Sequence, residues 1–263
     1  MRNQNLRRLV LVAGCMLASC MFAFGEEMKV TVSVPFGLLS RVFQLSYDGK
    51  AGTCFVVDLD ERQYVVTARH LVPGIKTNDV VQILQTNGWT TLNVRPIVPA
   101  DTNIDIVALA PDRLVVPHLE YSLGMANVIL GQDVFFLGFP WGLGTQDNTG
   151  QIPKIAFMKK ATLSAFDRIG AAEIVYLDGH NNKGFSGGPV VYGNLTQGNR
   201  LYVCGVVSGY RTEPALKPAK SKSDANVVEL QDVEGILANS GIIIVHDIKG
   251  IEEAIRANPI GFR

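Results

Sequence analysis

One serine of this 263-residue chain lies in a setting that suits nucleophilic chemistry. Ser186 stands in the segment KGFSGGPVV, with a glycine two residues before it and Gly-Gly-Pro directly after it. Small residues let backbone N–H groups converge beside a hydroxyl, an arrangement that stabilises an oxyanion. The same glycines also suit a plain tight turn before a strand, since glycine adopts positive φ at little cost. A serine nucleophile needs a base and an orienting acid, so other residues must decide between the two interpretations.

Two further residues can supply the base and the acid. His70 follows the apolar run QYVVTA, so its imidazole is expected at the end of a strand, where loops meet and catalytic residues are often sited. Asp105 precedes the apolar run IVALA, where a carboxylate is costly to bury unless a partner stabilises its charge. An imidazole N–H is such a partner, and the carboxylate would hold the imidazole in one tautomer.

The surroundings of these three residues resemble one family. TARH at His70, DIVAL at Asp105 and GFSGGP at Ser186, in that order along the chain, resemble the pattern of chymotrypsin-fold, trypsin-like serine peptidases. The segments AGTCFVVD, FFLGFPWG and CGVVSGY resemble further strands of that family. The resemblance covers about residues 30–259 and indicates the compact bacterial Deg/HtrA-like branch, without a PDZ domain.

The resemblance implies an all-β fold of two six-stranded antiparallel barrels, with the active site between them. We expect the N-terminal barrel over about residues 27–125 and the C-terminal barrel over about 126–245. The sequence itself favours this class, because short apolar runs alternate with turns that carry glycine or proline. One clear helix is predicted near the end, at about residues 248–257. The polar stretch at residues 211–234 is predicted to be a long surface loop.

The resemblance also assigns catalytic roles. Ser186 would attack the scissile carbonyl, His70 would take and return the proton, and Asp105 would orient the imidazole. The backbone N–H groups of Gly184 and Ser186 would form the oxyanion hole.

Substrate-binding residues are implied by the same resemblance. Ser208, Gly209 and Tyr210 would pair with the substrate backbone as an added strand. His180, which precedes the nucleophile by six positions, would lie at the base of the specificity pocket, the alternative being a surface-loop histidine.

Phe185 departs from the trypsin-type pattern, in which an aspartate precedes the nucleophile and pairs with the ammonium of a newly freed N-terminus. We therefore expect activity without a new N-terminus.

The predicted activity is that of a serine endopeptidase acting on polypeptides. An esterase would share the triad and differ only in its substrate. A catalytically silent peptide-binding protein or chaperone is the alternative from another class, but such relatives usually lack a triad residue, and this chain has all three.

Composition bounds the other partners. A formal net charge of zero argues against nucleic acid, because no excess of basic residues is present. No Cys/His spacing typical of a metal site occurs, so neither metal nor cofactor is predicted. Cys54 and Cys204 lie in apolar runs and are interpreted as buried thiols, with one disulfide as the alternative.

The N-terminus predicts export. Residues 1–25 combine a basic start, a short apolar run and small residues before Glu26, which is typical of a signal peptide. The apolar run is too short to predict a membrane span. Cleavage before Glu26 is favoured, and a lipobox ending at Cys20 is the alternative. We expect a periplasmic or secreted protein, or a lipoprotein, with a peptidase domain at residues 26–263.

Overall fold

The computed structural model describes residues 33–145, 154–198, 200–218 and 230–263. The predicted signal peptide lies outside these residues. The described residues contain two α-helices, α1 (Phe36–Leu39) and α2 (Lys249–Ala257). They also contain thirteen strands: β1 (Val42–Tyr47), β2 (Lys50–Leu59), β3 (Arg62–Ala68), β4 (Asp79–Gln85), β5 (Gly88–Ile97), β6 (Ile106–Pro111), β7 (Ser122–Leu123), β8 (Asp133–Gly138), β9 (Phe157–Ile169), β10 (Ala172–Asp178), β11 (Pro189–Asn194), β12 (Arg200–Pro218) and β13 (Leu230–Asp247).

The first six strands close into an antiparallel barrel in the order β1-β2-β3-β6-β5-β4. On β4 the side chains alternate, so that Val81 and Ile83 enter the barrel core while Val80 is turned outward. On β6 every residue is buried. Val107 packs in the barrel core and Ile106 in a second cluster shared with the other half of the molecule, which explains the uninterrupted apolar run.

The second half forms another ring of six strands. β8, β9, β10, β13, β12 and β11 pair in that order, and β11 pairs again with β8 to close the circuit. β7 adds to β12 in parallel. The prediction of two six-stranded barrels and a short C-terminal helix is therefore confirmed.

A single apolar cluster joins the two barrels and carries the helix. It takes Tyr64 and Ile106 from the first barrel, Phe139 and Val191 from the second, and Ile251 from α2. Because side chains from both halves share one close-packed cluster, the barrels are held in a fixed relation, and the loops that meet between them are positioned accordingly.

The prediction of a loop at residues 211–234 was wrong at both ends, since β12 continues to Pro218 and β13 begins at Leu230. The middle of that range, residues 219–229, lies outside the described residues. These strands pair beyond the barrel, as at Glu213 with Ala238, so backbone pairing and not an apolar pattern determines the extension. Apolar runs in the sequence give little sign of β1, β5 and most of β9, because the polar residues of these strands obscure the alternation.

The two cysteines within the described residues are buried free thiols, Cys54 in the first barrel's core and Cys204 in the second's. Their separate locations exclude the alternative of a disulfide between them. Within the described ranges, the structure has no helix that combines the length and the apolarity needed to cross a bilayer.

A pair of carboxyl groups makes the stability of the second barrel depend on pH. Asp247 is buried at the end of β13, and Glu173 on β10 is its neighbour, since Ile174 lies opposite His246. Burial, together with the hydrogen bond and charge of the nearby Glu173 carboxyl, raises the pKa of Asp247 to about 7, although the backbone N–H and the charge of Lys249 act in the opposite direction. The folded protein therefore retains a proton that the unfolded chain releases near pH 4.

We expect the free energy of unfolding to fall as the pH rises, by roughly 2–3 kcal/mol between pH 5 and pH 8 from this group. The contribution is fully present below the unfolded pKa and is lost as the pH passes through 7. Asp247→Asn should remove the dependence, because an amide carries no charge at either pH. Urea unfolding at both pH values measures the effect, with Asp133→Asn as an exposed control. An equal pH dependence in the Asp247 variant would contradict the assignment.

Candidate active site

His70 and Asp105 are brought together by strand pairing. β3 ends at Ala68, which lies opposite Ile106, the first residue of β6. The residues just outside this pair, in the turn after β3 and before β6, are therefore neighbours. His70 Nδ1 lies 2.7 Å from Asp105 Oδ2, and the backbone N–H of His70 donates to Oδ1 at 2.9 Å. Bonded in this way to a carboxylate, Nδ1 carries the proton, which leaves Nε2 as the basic nitrogen.

The Asp105 carboxylate receives a third donor that the sequence did not predict. The Ser208 hydroxyl donates to Asp105 Oδ2 at 2.5 Å. Burial raises the pKa of Asp105, but the hydrogen bonds and charge of His70, with the Ser208 hydroxyl, outweigh burial and hold that pKa below its usual range. The carboxylate thus stays ionised at neutral pH.

A second histidine lies behind the carboxylate. The backbone N–H of Asp105 donates to His246 Nδ1 at 3.4 Å. Burial lowers the pKa of His246, and its neutral ring can accept this bond. Sequence reasoning missed His246 because its strand pattern gives no sign of a contact with a loop of the other barrel.

Ser186 lies in the loop between β10 and β11. Its hydroxyl donates to the carbonyl of Ser208 at 3.1 Å, and within the described residues no hydrogen bond joins it to His70. Ser208 therefore connects Ser186 to the His70–Asp105 pair, because its carbonyl accepts from the Ser186 hydroxyl and its own hydroxyl donates to Asp105. Catalytic hydrogen bonds often shorten only when substrate is bound, so this arrangement is compatible with catalysis.

The oxyanion loop, residues 180–186, presents two backbone donors. Phe185 N–H donates back to Asn182 O at 3.3 Å, whereas the N–H groups of Gly184 and Ser186 have no acceptor among the described residues. Gly184 has φ of +107°, and a Cβ there would lie 2.2 Å from the carbonyl oxygen of Phe139. Glycine is therefore required at this position both by its backbone conformation and by the close approach of the backbone just after β8.

Thr53 on β2 connects the oxyanion loop to the first barrel. Its hydroxyl donates to Gly184 O at 2.6 Å and accepts from Phe139 N–H at 3.1 Å, while its own N–H donates to Ser186 O at 2.9 Å. The segment AGTCFVVD was noted in the sequence, but no role was assigned to its Thr53. A hydroxyl within a fully buried apolar run was the available signal, because buried polar groups require partners.

The predicted substrate-binding residues lie on two neighbouring elements. Ser208, Gly209 and Tyr210 are on β12, where the register with β13 shifts around Gly209. His180 is exposed on the oxyanion loop, and its carbonyl accepts a hydrogen bond from Lys159. The next residue, Asn181, is buried and donates to Gly209 O at 3.1 Å, which joins the loop to β12.

Comparison with known proteins identifies the family. The model of the trypsin-like peptidase domain matches residues 52–206, more than half of the chain. The chain belongs to the trypsin-like peptidase family. The predicted enzyme class, a serine endopeptidase, is thereby confirmed, and polypeptides are the substrates of this trypsin-like peptidase. No curated protein matches the sequence significantly.

Solved structures share the fold of this trypsin-like peptidase at low identity. The active form of the Rv3671c protease from M. tuberculosis is 18% identical with a TM-score of 0.54, covering 84% of this chain and 82% of its own. The HtrA-type protease AlgW, solved with a tripeptide, is 18% identical with a TM-score of 0.52, covering 84% and 60%. The serine endoprotease from Yersinia pestis is 16% identical with a TM-score of 0.53, covering 88% and 68%. At these identities the likeness establishes the fold.

Proposed function

We propose that this trypsin-like peptidase cleaves peptide bonds through an acyl-enzyme on Ser186. The observation that carries the proposal is the hydrogen-bonded chain from His70 to Asp105 to Ser208 and on to Ser186. It joins a base, an ionised carboxylate and a hydroxyl at the meeting point of the two barrels, which is the set of groups that nucleophilic acyl transfer needs.

In the first half of the reaction, Ser186 Oγ attacks the scissile carbonyl carbon and His70 Nε2 takes the hydroxyl proton. The N–H groups of Gly184 and Ser186 are free to donate to the oxyanion of the tetrahedral intermediate. The C–N bond then breaks, and the leaving amine departs with the proton that His70 returns. In the second half, water attacks the acyl-enzyme, His70 again takes and returns a proton, and the carboxyl product leaves. Asp105 stabilises the imidazolium in both halves.

Two neighbouring elements can hold the peptide during this reaction. Ser208, Gly209 and Tyr210 on β12 can bind the substrate backbone as an added strand, in the manner of β-augmentation. Asn181 is the buried polar side chain beside that strand, and we propose it, together with His180, as part of the specificity pocket.

Covalent labelling tests the proposal. A fluorophosphonate probe forms a bond between serine Oγ and phosphorus, with loss of fluoride, only when the base and oxyanion hole are assembled. Probe attached to Ser186, located by peptide mass mapping, together with hydrolysis of casein would support the proposal. A folded chain that binds peptides but neither labels nor cleaves would instead support the silent binding protein.

We also propose that the chain is exported, with residues 1–25 as a signal peptide and residues 26–263 as the peptidase domain. The support is the basic and apolar pattern of the N-terminus. Intact-mass measurement of protein from the native host tests this. A start at Glu26 supports secretion, a lipidated Cys20 supports anchoring, and an uncleaved Met1 form contradicts export.

A further inference from the structure

Lys159 occupies an unusual position for a lysine. It lies on β9 directly opposite Phe136 of β8, whose side chain is fully buried, so the two side chains share a face. The next residue, Lys160, faces solvent and forms an exposed ion pair with Asp133 at 2.7 Å. Lysine is rarely directed inward unless its ammonium reaches polar partners, because an unpaired charge is costly to desolvate.

The partners of the Lys159 ammonium belong to the oxyanion loop. Nζ donates to the carbonyl of His180 and to Asn182 Oδ1, the latter at 3.3 Å. It lies 5.8 Å from the centre of the Phe185 ring and 6.0 Å from that of Phe136, within the range of cation–π attraction. No carboxylate pairs with Lys159 in the part of the chain that the structure describes. Its charge is therefore directed at the loop that presents the oxyanion donors.

The contacts of Phe185 show how this charge can act on catalysis. The Phe185 ring is fully buried and packs edge-on against Phe136, with ring centres 4.9 Å apart. Its backbone N–H donates to Asn182 O, and this turn contains Gly184, one of the two oxyanion donors. Lys159 contacts the turn at Asn182 and at the Phe185 ring, which are its two ends. Fixing both ends restricts the orientation of the Gly184 peptide.

We propose that Lys159 is a positioning residue, an ammonium built into the fold that holds the oxyanion loop in its active arrangement. The inference rests on the proposed function, since it concerns the donors for the Ser186 reaction. In trypsin-type relatives the residue before the nucleophile is an aspartate that pairs with a freed N-terminal ammonium. Here Phe185 stands at that position, and the ammonium is that of a half-buried lysine on β9. The loop is then ordered without proteolytic release of a new N-terminus.

Because Lys159 is charged, the proposal predicts a characteristic dependence of activity on pH. Burial lowers the pKa of Lys159, so its ammonium loses its proton at a lower pH than an exposed lysine does. The other charged or titratable groups on these elements are His180 and Lys183 on the loop, Asp133 on β8, and Lys160, Asp167 and Arg168 on β9, of which Asp167 and Arg168 lie near the far end of that strand. Activity should therefore fall on the alkaline side. In a Lys159→Arg variant this fall should be absent up to pH 10, because guanidinium stays protonated.

The experiment compares Lys159→Met, Lys159→Arg and the control Lys160→Met in the full chain. We expect Lys159→Met to slow fluorophosphonate labelling of Ser186 and casein hydrolysis at least tenfold, with the loss in kcat and not in KM. Lys159→Arg should stay within about threefold of wild type at pH 7.5, and Lys160→Met within about twofold. An uncleaved extension placed before Glu27 should leave labelling unchanged.

The outcomes separate the two proposals. Wild-type labelling at Ser186 with an equal rate in Lys159→Met would overturn the role of Lys159 and leave the proposed function standing. Absence of wild-type labelling would overturn both. If Lys159→Met fails to fold, the activity of Lys159→Arg measured between pH 7.5 and pH 10 tests the inference instead. A loss of activity over this range identical to that of wild type would reject it. Strict dependence on a trimmed N-terminus would also reject it.

Discussion

Replacing Ser186 with alanine is expected to lower kcat for peptide hydrolysis by on the order of 10⁴–10⁶-fold. In the proposed mechanism, removing Oγ removes the atom that forms the acyl bond. The other hydroxyl close to the triad, that of Ser208, donates to Asp105 Oδ2 and is not placed beside the Gly184 and Ser186 N–H groups by any hydrogen bond of the described residues. The fold should be retained, because within the described part of the chain Oγ makes a single hydrogen bond, to Ser208 O, whose loss costs about 1 kcal/mol. Casein or peptide hydrolysis measures the first effect, and thermal unfolding the second.

A matched control is Ser164→Ala. Ser164 is exposed on β9, and its hydroxyl donates to Thr162 O, its one hydrogen bond among the residues that the structure describes, so its removal should change neither activity nor stability appreciably. Residual activity above a few per cent in the Ser186 variant, after contaminating peptidases are excluded by labelling, would show that another residue is the nucleophile.

Asp105→Asn is expected to lower kcat by about 10⁴-fold while leaving the barrels folded. The carboxylate accepts from His70 Nδ1, from His70 N–H and from the Ser208 hydroxyl. An amide has only one acceptor oxygen, so its NH₂ group must face one of these donors. Where the amide donates to His70 Nδ1, the imidazole proton moves to Nε2, and that nitrogen can no longer take the Ser186 proton.

The measurement is kcat and KM on a peptide substrate, with Asp112→Asn as the control. Asp112 is a carboxylate at the far end of β6 that accepts from the Asn93 side chain, so this substitution changes charge equally without reaching His70. We expect Asp112→Asn to act like wild type. Loss of activity in Asp105→Asn through KM alone, with kcat unchanged, would contradict the orienting role of Asp105.

Much of this site could be predicted because its signals are local. His70 follows directly on β3 and Asp105 directly precedes β6, so apolar runs in the sequence mark where each side chain lies. The glycines around Ser186 alone would also suit a tight turn, so Gly184 is marked as an oxyanion donor only by the segment GFSGGP together with His70 and Asp105 earlier in the chain. The barrels followed from the same runs together with the family resemblance.

The supporting residues could not be predicted, because their partners are distant in the chain. Thr53 and Lys159 look like ordinary strand residues until β2 and β9 are placed against the oxyanion loop. His246 is one of four histidines, and only the packing of β13 against the Asp105 loop distinguishes it. The continuation of β12 and β13 past the barrel depends on cross-strand pairing, which leaves little trace in the composition of either strand.

The position of Thr53 makes the Ser186 loop depend on the folding of both halves of the chain. Thr53 belongs to the first half of the chain, yet it donates hydrogen bonds to the carbonyls of Gly184 and Ser186 in the second half. A newly synthesised chain in which only one barrel is complete cannot form these hydrogen bonds, and neither can a chain that has lost one barrel through damage. The loop that carries Ser186 therefore obtains its full set of hydrogen bonds only when both halves are folded and docked, and we expect the proposed activity to require both barrels.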